Sequence, residues 1–292
     1  MPKTTIVAEK NQPFYSDILA RSLLRIGVPK YEAYRIAHKI WEEMSHQKKG
    51  NFKISKRVES FLKKKYPSLV KHYGTWRQIM GKQKPMIVLI AGGTGIGTST
   101  LAMRLAWLLE IDHIVSTDSV REVIRQFLHK EVLPILHVST YEADKIIKEV
   151  KSPHDRLIYG FLTQSKEVLN GVEAIIKRSI TENVSTVIEG VHLIPGEMDF
   201  LNKYKGKAMI IEIMLDVNQK DKHRLHFFSR HKESVNRKKS KYLSHFKEIR
   251  LIRDYLVKQA EKNHVLVVQN YDLRKAEKEV LEKMYASYTH KK

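Results

Sequence analysis

The sequence predicts an α/β fold: a five-stranded parallel sheet with helices on both faces, plus a small, mostly helical N-terminal domain. Short, continuous apolar runs, as expected for buried parallel strands, alternate with segments of helical periodicity in the larger part of the chain. Residues 1–80, in contrast, show only helical patterns. A chain of 292 residues is long enough for both parts and for a real hydrophobic core.

Five apolar runs predict the strands of the sheet. They are Met86–Ala91, His113–Ser116, Ser185–Glu189, Ala208–Leu215 and His264–Val268. Between these runs, apolar residues recur at helical spacing over residues 101–109, 161–176 and 242–260. Strands that alternate with helices in this way pair in parallel, and the connecting helices cover both faces of the sheet.

The part of the chain before the first strand is predicted to be a separate domain. Gly27 ends a first helical pattern, Pro29 suits the first turn of a second, and a third follows Gly50. The polar segment Gly81–Pro85 contains glycine and proline, which is typical of a linker. We therefore place the boundary there, with residues 1–82 in the first domain and 83–292 in the second.

Composition and charge exclude several classes of function. The chain has no cysteine, which excludes thiol catalysis, disulfides and cysteine-ligated zinc. No apolar stretch approaches the about 18 residues of a membrane span, and the N-terminus lacks the features of a secretory signal. We therefore expect a cytoplasmic protein without a membrane partner.

The formal net charge of +21 favours anionic partners, with a merely solvated basic surface as the alternative. The lysines are scattered over most helical patterns instead of forming one basic block with interleaved aromatic residues. This distribution favours a small anionic substrate over nucleic acid. The oligomeric state stays open, with a homo-oligomer among the options.

A glycine-rich segment directly follows the first predicted strand and precedes a helix. Its residues, which we predict to bind nucleotide phosphates, are Gly92, Gly93, Thr94, Gly95, Ile96, Gly97, Thr98, Ser99 and Thr100. Glycines let the backbone approach a phosphate closely, and the N-terminus of the helix adds positive potential. The order of strand, loop and helix is what a nucleotide phosphate loop requires. Ser99 lies where such loops place the hydroxyl ligand of Mg²⁺ or another divalent cation.

Thr98 departs from the strict phosphate-loop pattern, G-x-x-x-x-G-K-[ST], in which a lysine reaches the β- and γ-phosphates. A glycine-rich turn without a ligand is therefore one alternative. A dinucleotide-binding turn is another, but Thr98 falls where the last glycine of G-x-G-x-x-G should be. We keep ATP as the predicted co-substrate, because the context of the loop is right.

Two carboxylates lie at or just after the ends of predicted strands, at the edge of the sheet where ligands bind. Asp118 is predicted to orient or deprotonate an acceptor hydroxyl or to hold the metal, with a helix N-cap as the alternative. Glu189 is predicted to hold Mg²⁺ or to orient the acceptor, with an exposed strand end as the alternative. Arg121 and His192, close to these carboxylates in the sequence, are predicted to bind the substrate, although a structural histidine is the alternative for His192.

A basic segment follows the fourth predicted strand and is expected to form a lid over about residues 219–240. Arg224 and Arg230 are predicted to act in catalysis and Arg237 to bind substrate, since arginines there can close over phosphates and exclude water. For any single arginine, a solvated helix face is the alternative. Because Thr98 brings no charge, these arginines and the metal are expected to neutralise the phosphates.

Four separated segments resemble archaeal 2-phosphoglycerate kinase, a family of P-loop kinases. They are residues 91–100, 116–123, 187–196 and 241–250, which agree in order within residues 86–270. That family also has threonine instead of the loop lysine. The segments Ile6–Lys10 and Pro13–Ala20 resemble an ATP-cone, a small nucleotide-sensing domain that members of this family also carry at the N-terminus. The usual basic–acidic–glycine turn of the cone is Lys10-Asn-Gln here.

The resemblance implies a P-loop kinase-type fold and phosphorylation of the 3-hydroxyl of 2-phosphoglycerate by ATP, which gives 2,3-bisphosphoglycerate. In methanogens this product feeds the synthesis of cyclic 2,3-diphosphoglycerate, a heat-protecting solute. The residues themselves support only a small, anionic, hydroxyl-bearing acceptor. Two alternatives remain: a P-loop kinase of another small metabolite or a nucleoside monophosphate, and an ATP-sensing regulator that binds nucleic acid.

Overall fold

The computed structural model describes residues 14–45, 53–81, 83–229 and 239–289. The chain divides into two compact units, one of residues 1–82 with 281–292 and the other of residues 83–280. The last helix therefore begins in the second unit and ends in the first. The proposed cone turn at Lys10-Asn-Gln lies outside the described residues, so its interpretation stays a prediction.

The described part of the first unit is helical. Before the linker it contains α1 (Phe14–Arg25), α2 (Lys30–Ser45), α3 (Ile54–Lys65) and α4 (Val70–Met80), with a 3₁₀ turn at Pro67–Leu69. Gly27 has a φ of 96°, a conformation that ends α1 and that glycine adopts without strain. Helical patterns were predicted throughout residues 1–80, but α4 was not assigned as a separate helix. It buries Tyr73, Trp76 and Ile79 at a spacing of three residues, a short stripe among polar residues.

The second unit contains a five-stranded sheet. The strands are β1 (Met86–Ala91), β2 (His113–Ser116), β3 (Thr186–Gly190), β4 (Met209–Asp216) and β5 (Leu266–Gln269), in the order β2-β3-β1-β4-β5. Every pairing is parallel, which confirms the predicted α/β class. All six residues of β1 are buried. Because successive side chains point to opposite faces, both faces of this central strand are covered.

Helices alternate with these strands along the chain. They are α5 (Thr98–Leu109), α6 (Thr117–Phe127), α7 (Pro153–Thr181), α8 (Lys220–Ser229), α9 (Lys239–Ser244), α10 (Phe246–Lys262) and α11 (Leu273–Thr289). Short 3₁₀ helices occur at Pro134–His137, Thr140–Lys145 and Asp199–Tyr204. One core cluster joins Leu89 of β1 to Phe161 of α7 and Leu256 of α10. Although α7 has 29 residues, neither it nor any other helix in the described ranges is apolar enough to cross a membrane.

Three strands begin later than predicted, among them the fourth, which begins at Met209 instead of Ala208. The carboxyl ends of all five strands lie within one residue of their predicted positions. The fifth strand begins at Leu266 instead of His264, and the third at Thr186 instead of Ser185. His264 has a φ of 57° in the turn after α10, and this left-handed conformation is incompatible with an extended strand. The carboxyl ends matter most, because they form the edge at which the candidate site lies.

Candidate active site

The glycine-rich loop, residues 92–97, connects β1 to α5 at the carboxyl edge of the sheet. Gly95 and Gly97 have φ values of 89° and 98°, in the left-handed region that favours glycine. A Cβ atom on Gly95 would lie 2.4 Å from Cζ of Phe227, so only glycine lets the loop approach α8 this closely. The loop is therefore a tight turn that leads into the first turn of α5, where helix N–H groups have no intrahelical partner.

The first two residues of α5 both contact Glu189 in β3. Thr98 Oγ1 donates to Oε2 of Glu189 at 2.5 Å, and Ser99 Oγ donates to Oε1 at 2.9 Å. Glu189 is only 6% exposed, so the alternative of an exposed strand end is wrong. The cause is the strand order, because β1 pairs directly with β3 and brings Glu189 beside the loop. The threonine that replaces the loop lysine thus bonds a buried carboxylate.

Ser99 and Glu189 offer a hydroxyl and a carboxylate oxygen, the hard ligands that Mg²⁺ prefers. Among the residues that the structure describes, no three or more His, Cys, Asp or Glu side chains form a protein cage for a metal ion. In nucleotide sites Mg²⁺ usually binds phosphate oxygens and water besides one or two protein ligands. The Ser99–Glu189 pair therefore fits a divalent cation held largely by a nucleotide.

Asp118 and Arg121 lie on α6, which begins at the end of β2 along the same edge. Ser116 caps this helix by accepting a hydrogen bond from the N–H of Ser119 at 3.0 Å, so the alternative that Asp118 is the cap is wrong. The Asp118 side chain is 63% exposed, and its Oδ1 lies 3.9 Å from Nη2 of Arg121. Arg121 also donates to the carbonyl of Val138 at 2.5 Å. An exposed carboxylate thus lies beside a guanidinium that is fixed in position.

His192 is completely buried behind this edge. Its Nδ1 lies 2.9 Å from Oγ1 of Thr117, and its Nε2 lies 3.1 Å from Oε1 of Gln164. Burial lowers the pKa of His192 to about 4; the carboxylate of Asp118 opposes this shift and the charge of Arg121 adds to it. These contacts fix the start of α6, and a direct role of His192 in substrate binding stays a prediction.

The predicted lid is described only in part. Arg230 and Arg237 lie outside the described residues. The side chain of Arg224 in α8 is 54% exposed, its Nη1 lies 3.7 Å from Oδ1 of Asp221, and its guanidinium lies 4.8 Å from the ring centroid of Phe246. Arg224 therefore has its charge at the surface of α8, and its catalytic role stays a prediction.

Two buried side chains that contact the loop were not predicted from the sequence. His223 in α8 has its Nε2 2.9 Å from the carbonyl oxygen of Thr94, and Asn270 after β5 donates from Nδ2 to the carbonyl oxygen of Ile96 at 2.8 Å. Burial lowers the pKa of His223 to about 4, so at neutral pH its ring is neutral and Nε2 carries the donated proton. The sequence feature that could have identified Asn270 is its position just after the carboxyl end of a predicted strand, where ligand sites of parallel sheets lie. Nothing local in the sequence distinguishes His223.

A buried ion pair beside the loop was also missed. Asp216, the last residue of β4, is fully buried and accepts hydrogen bonds from Nε of Arg253 at 2.6 Å, from Nη2 of the same arginine, and from Gln269 at 2.8 Å. The Cβ of Arg253 lies 3.3 Å from where a Cβ on Gly93 would be. The charge of Arg253 is therefore neutralised within the protein, and this arginine is no substitute for the missing loop lysine.

Comparison with known proteins identifies relatives along most of the chain. It is 37% identical over 265 residues to the 2-phosphoglycerate kinase of Methanocaldococcus jannaschii, covering 88% of this chain and 83% of that protein. It is 36% identical to the 2-phosphoglycerate kinase of Methanopyrus kandleri, with coverages of 88% and 79%. For the one of Thermococcus kodakarensis, the identity is 34% and the coverages are 93% and 92%. No family model matches the chain.

Among solved structures, low-scoring matches include two proteins titled as kinases. A gluconokinase from Sinorhizobium meliloti 1021 matches with a TM-score of 0.40 and 9% identity, over 72% of this chain and 99% of that chain. A shikimate kinase from Bacteroides thetaiotaomicron matches with a TM-score of 0.34 and 15% identity, over 69% of this chain and 97% of that chain.

Proposed function

The chain belongs to the 2-phosphoglycerate kinase family, and we propose on that premise that it transfers the γ-phosphoryl group of ATP to the free hydroxyl of 2-phosphoglycerate. The family resemblance predicted from the sequence is thus confirmed. The products are 2,3-bisphosphoglycerate and ADP. The observation that best supports the proposal is that one edge of the sheet brings together the phosphate loop, the Ser99–Glu189 pair and an exposed Asp118 beside Arg121.

The loop is proposed to bind the phosphates of ATP through backbone N–H groups at the start of α5, where the helix terminus favours negative charge. Ser99 and Glu189 are proposed to hold Mg²⁺, with Asp118 as the alternative carboxylate ligand. When bound, the cation neutralises charge on the β- and γ-phosphate oxygens. Thr98 keeps the Glu189 carboxylate in position through its 2.5 Å hydrogen bond. Arg224 and Arg230 are proposed to add positive charge from the lid.

Asp118 is proposed to orient the acceptor hydroxyl and to accept its proton. The hydroxyl oxygen then forms a bond to the γ-phosphorus, the bond from that phosphorus to the β–γ bridging oxygen breaks, and ADP leaves. Arg121, fixed by Val138, is proposed to bind an anionic group of the acceptor next to Asp118. Such a reaction depends mainly on positioning and charge, which this set of residues can supply. Arg237 and His192 are proposed to assist acceptor binding.

Substrate identity is tested by measuring ADP release from ATP and Mg²⁺ with one acceptor at a time. The panel contains 2-phosphoglycerate, 3-phosphoglycerate and nucleoside monophosphates. We expect turnover with 2-phosphoglycerate to exceed that with every other acceptor. A preference for a nucleoside monophosphate would assign the chain to another kinase activity. Absence of turnover together with salt-dependent retention of DNA or RNA would instead favour a regulator.

The site assignment is tested by replacing Ser99 with Ala. We expect a severe loss of turnover with an unchanged circular dichroism spectrum, because Ser99 is exposed at the start of α5 and contributes little to the core. Met103→Ala is the matched control, since Met103 is 58% exposed on the same helix, α5, and is not part of the proposed site. Normal turnover by the Ser99 variant would refute the assignment.

The proposal includes a cytoplasmic location, where ATP and phosphorylated acids are metabolised.

A further inference from the structure

Two buried side chains from outside the phosphate loop hydrogen-bond carbonyl groups of the loop itself. His223 on α8 donates to the carbonyl of Thr94 at 2.9 Å, and Asn270 after β5 donates to the carbonyl of Ile96 at 2.8 Å. The two donors come from different elements and bond alternate peptide groups of one turn. The orientation of both peptide groups is therefore set by side chains that do not belong to the loop.

In a planar trans peptide, the carbonyl and the following N–H point in opposite directions. The bond to His223 therefore turns the N–H of Gly95 away from α8, and the bond to Asn270 turns the N–H of Gly97 away from Asn270. Within the described part of the chain, no backbone carbonyl accepts a hydrogen bond from either of these N–H groups. Successive inward N–H groups of this kind form a concavity that binds anions.

These N–H groups matter more here than in a loop with a lysine. The side chain of Thr98 is uncharged and is bonded to Glu189, and the nearby charge of Arg253 is paired with Asp216. We propose that His223 and Asn270 are positioning residues that hold two loop carbonyls outward and so aim the N–H groups of Gly95 and Gly97 at the nucleotide phosphates. The inference rests on the proposed binding of ATP by this loop.

A role in packing alone makes a different prediction for His223. Its ring stacks on Phe227 with centroids 5.3 Å apart and lies 5.3 Å from the ring of Phe246, contacts that an apolar side chain could also make. Its Nδ1 is buried and has no hydrogen-bond partner among the described residues. Among the described residues, the ring of His223 therefore hydrogen-bonds only the carbonyl of Thr94. A variant that keeps the packing but lacks the donor tests this bond separately.

The experiment compares four variants of the full chain by ATP affinity from titration calorimetry and by KM and kcat with 2-phosphoglycerate. His223→Leu and Asn270→Leu each remove a donor without adding charge, His223→Gln keeps one, and Met103→Ala is the control on the exposed surface of α5. We expect both donor-free variants to weaken ATP binding and raise KM for ATP about tenfold, the effect of about one hydrogen bond. The glutamine variant should stay within about threefold, the control should equal the wild type, and kcat should change less than KM.

Amide NMR separates positioning from a general loss of stability. On addition of ATP to the wild type, we expect the amide protons of Gly95 and Gly97 to shift downfield as they bond phosphate oxygens. His223→Leu should abolish the Gly95 shift and keep that of Gly97, and Asn270→Leu should do the reverse. Glycine signals are few, since the chain has 13 glycines.

Three outcomes would overturn the inference. In the first, donor-free variants bind ATP as the wild type does. In the second, His223→Gln binds ATP as weakly as His223→Leu does, which indicates that His223 acts through packing and not through its hydrogen bond. In the third, both glycine shifts disappear together in either variant. If the wild type itself does not bind ATP, the proposed function fails, and the inference fails with it. If the wild type binds ATP and turns over 2-phosphoglycerate while the variants do the same, only the inference fails. Should His223→Leu not fold, Asn270→Leu and its NMR signature decide alone.

Discussion

Removing the hydrogen bond from Thr98 to Glu189 tests what the threonine does at the position where phosphate loops usually have lysine. Thr98→Val removes the hydroxyl and keeps the branched shape. Both residues are 6% exposed, and the bond measures 2.5 Å. A hydrogen bond to a charged group contributes about 1.5–3 kcal/mol. We therefore expect the free energy of unfolding to fall by about 2 kcal/mol, which for a unit of this size corresponds to a melting temperature lower by about 4–8 °C.

Scanning calorimetry and turnover of 2-phosphoglycerate are measured on the same samples, with Thr98→Ser as the control that keeps the hydroxyl. Ser99→Ala is the contrasting variant. Because Ser99 is exposed, removing its hydroxyl should lower the free energy of unfolding less than Thr98→Val does. It should lower turnover much more, because this hydroxyl is a proposed metal ligand. A Thr98→Val variant that melts like the wild type would refute the supporting role of Thr98. A loss of turnover as complete as that of Ser99→Ala would mean that the Thr98 hydroxyl contacts ATP or the metal directly.

Three further predictions follow from the site and its surroundings. Asp118→Asn should lower kcat by about 10²–10⁴ with an unchanged melting temperature, because the side chain is 63% exposed; an unaffected kcat in the ADP-release assay would exclude it as the base. Arg253→Met leaves the carboxylate of buried Asp216 without its ion-pair partner and should cost about 3–5 kcal/mol in urea unfolding, and a loss below about 1 kcal/mol would contradict the pairing. Burial lowers the pKa values of His192 and His223 from 6.5 to about 4, so the unfolded chain binds more protons between these pH values; stability is full above pH 6.5 and falls by up to about 3 kcal/mol per group as pH drops to 4. Melting temperatures from pH 7 to 4.5 check this, with a shallower slope expected for His192→Gln and a constant melting temperature as the contradicting result.

Much of the fold and of one half of the site could be predicted from local sequence. The strands are short, mainly apolar runs, and the clearest of them, Met86–Ala91, is buried at all six residues, as its composition predicts. Ser99 and Glu189 could be placed together because Glu189 lies at the carboxyl end of one strand and Ser99 follows the loop after another, and these ends meet at one edge of a parallel sheet. The 2.9 Å contact between them confirms that neighbourhood, while their roles toward a metal stay predictions.

The remaining features depend on contacts between residues far apart in the chain. Thr98 meets Glu189 across 91 positions, and Asn270 meets Ile96 across 174, so no local pattern reveals either bond. The alternative of a helix N-cap at Asp118 was wrong because Ser116, two residues earlier, accepts the capping hydrogen bond from the N–H of Ser119. His223 was missed because helix periodicity identifies apolar faces, and a buried polar residue on such a face has no signal of its own.

The most direct measurement of the central claim is ³¹P NMR of a reaction mixture that contains the chain, ATP, Mg²⁺ and 2-phosphoglycerate. Phosphoryl transfer predicts a second phosphomonoester signal on the glycerate that grows in equal amount with ADP and is lost in Ser99→Ala. Growth of inorganic phosphate with ADP and no new phosphomonoester signal would contradict the claim, because the chain would then hydrolyse ATP without transferring its phosphoryl group.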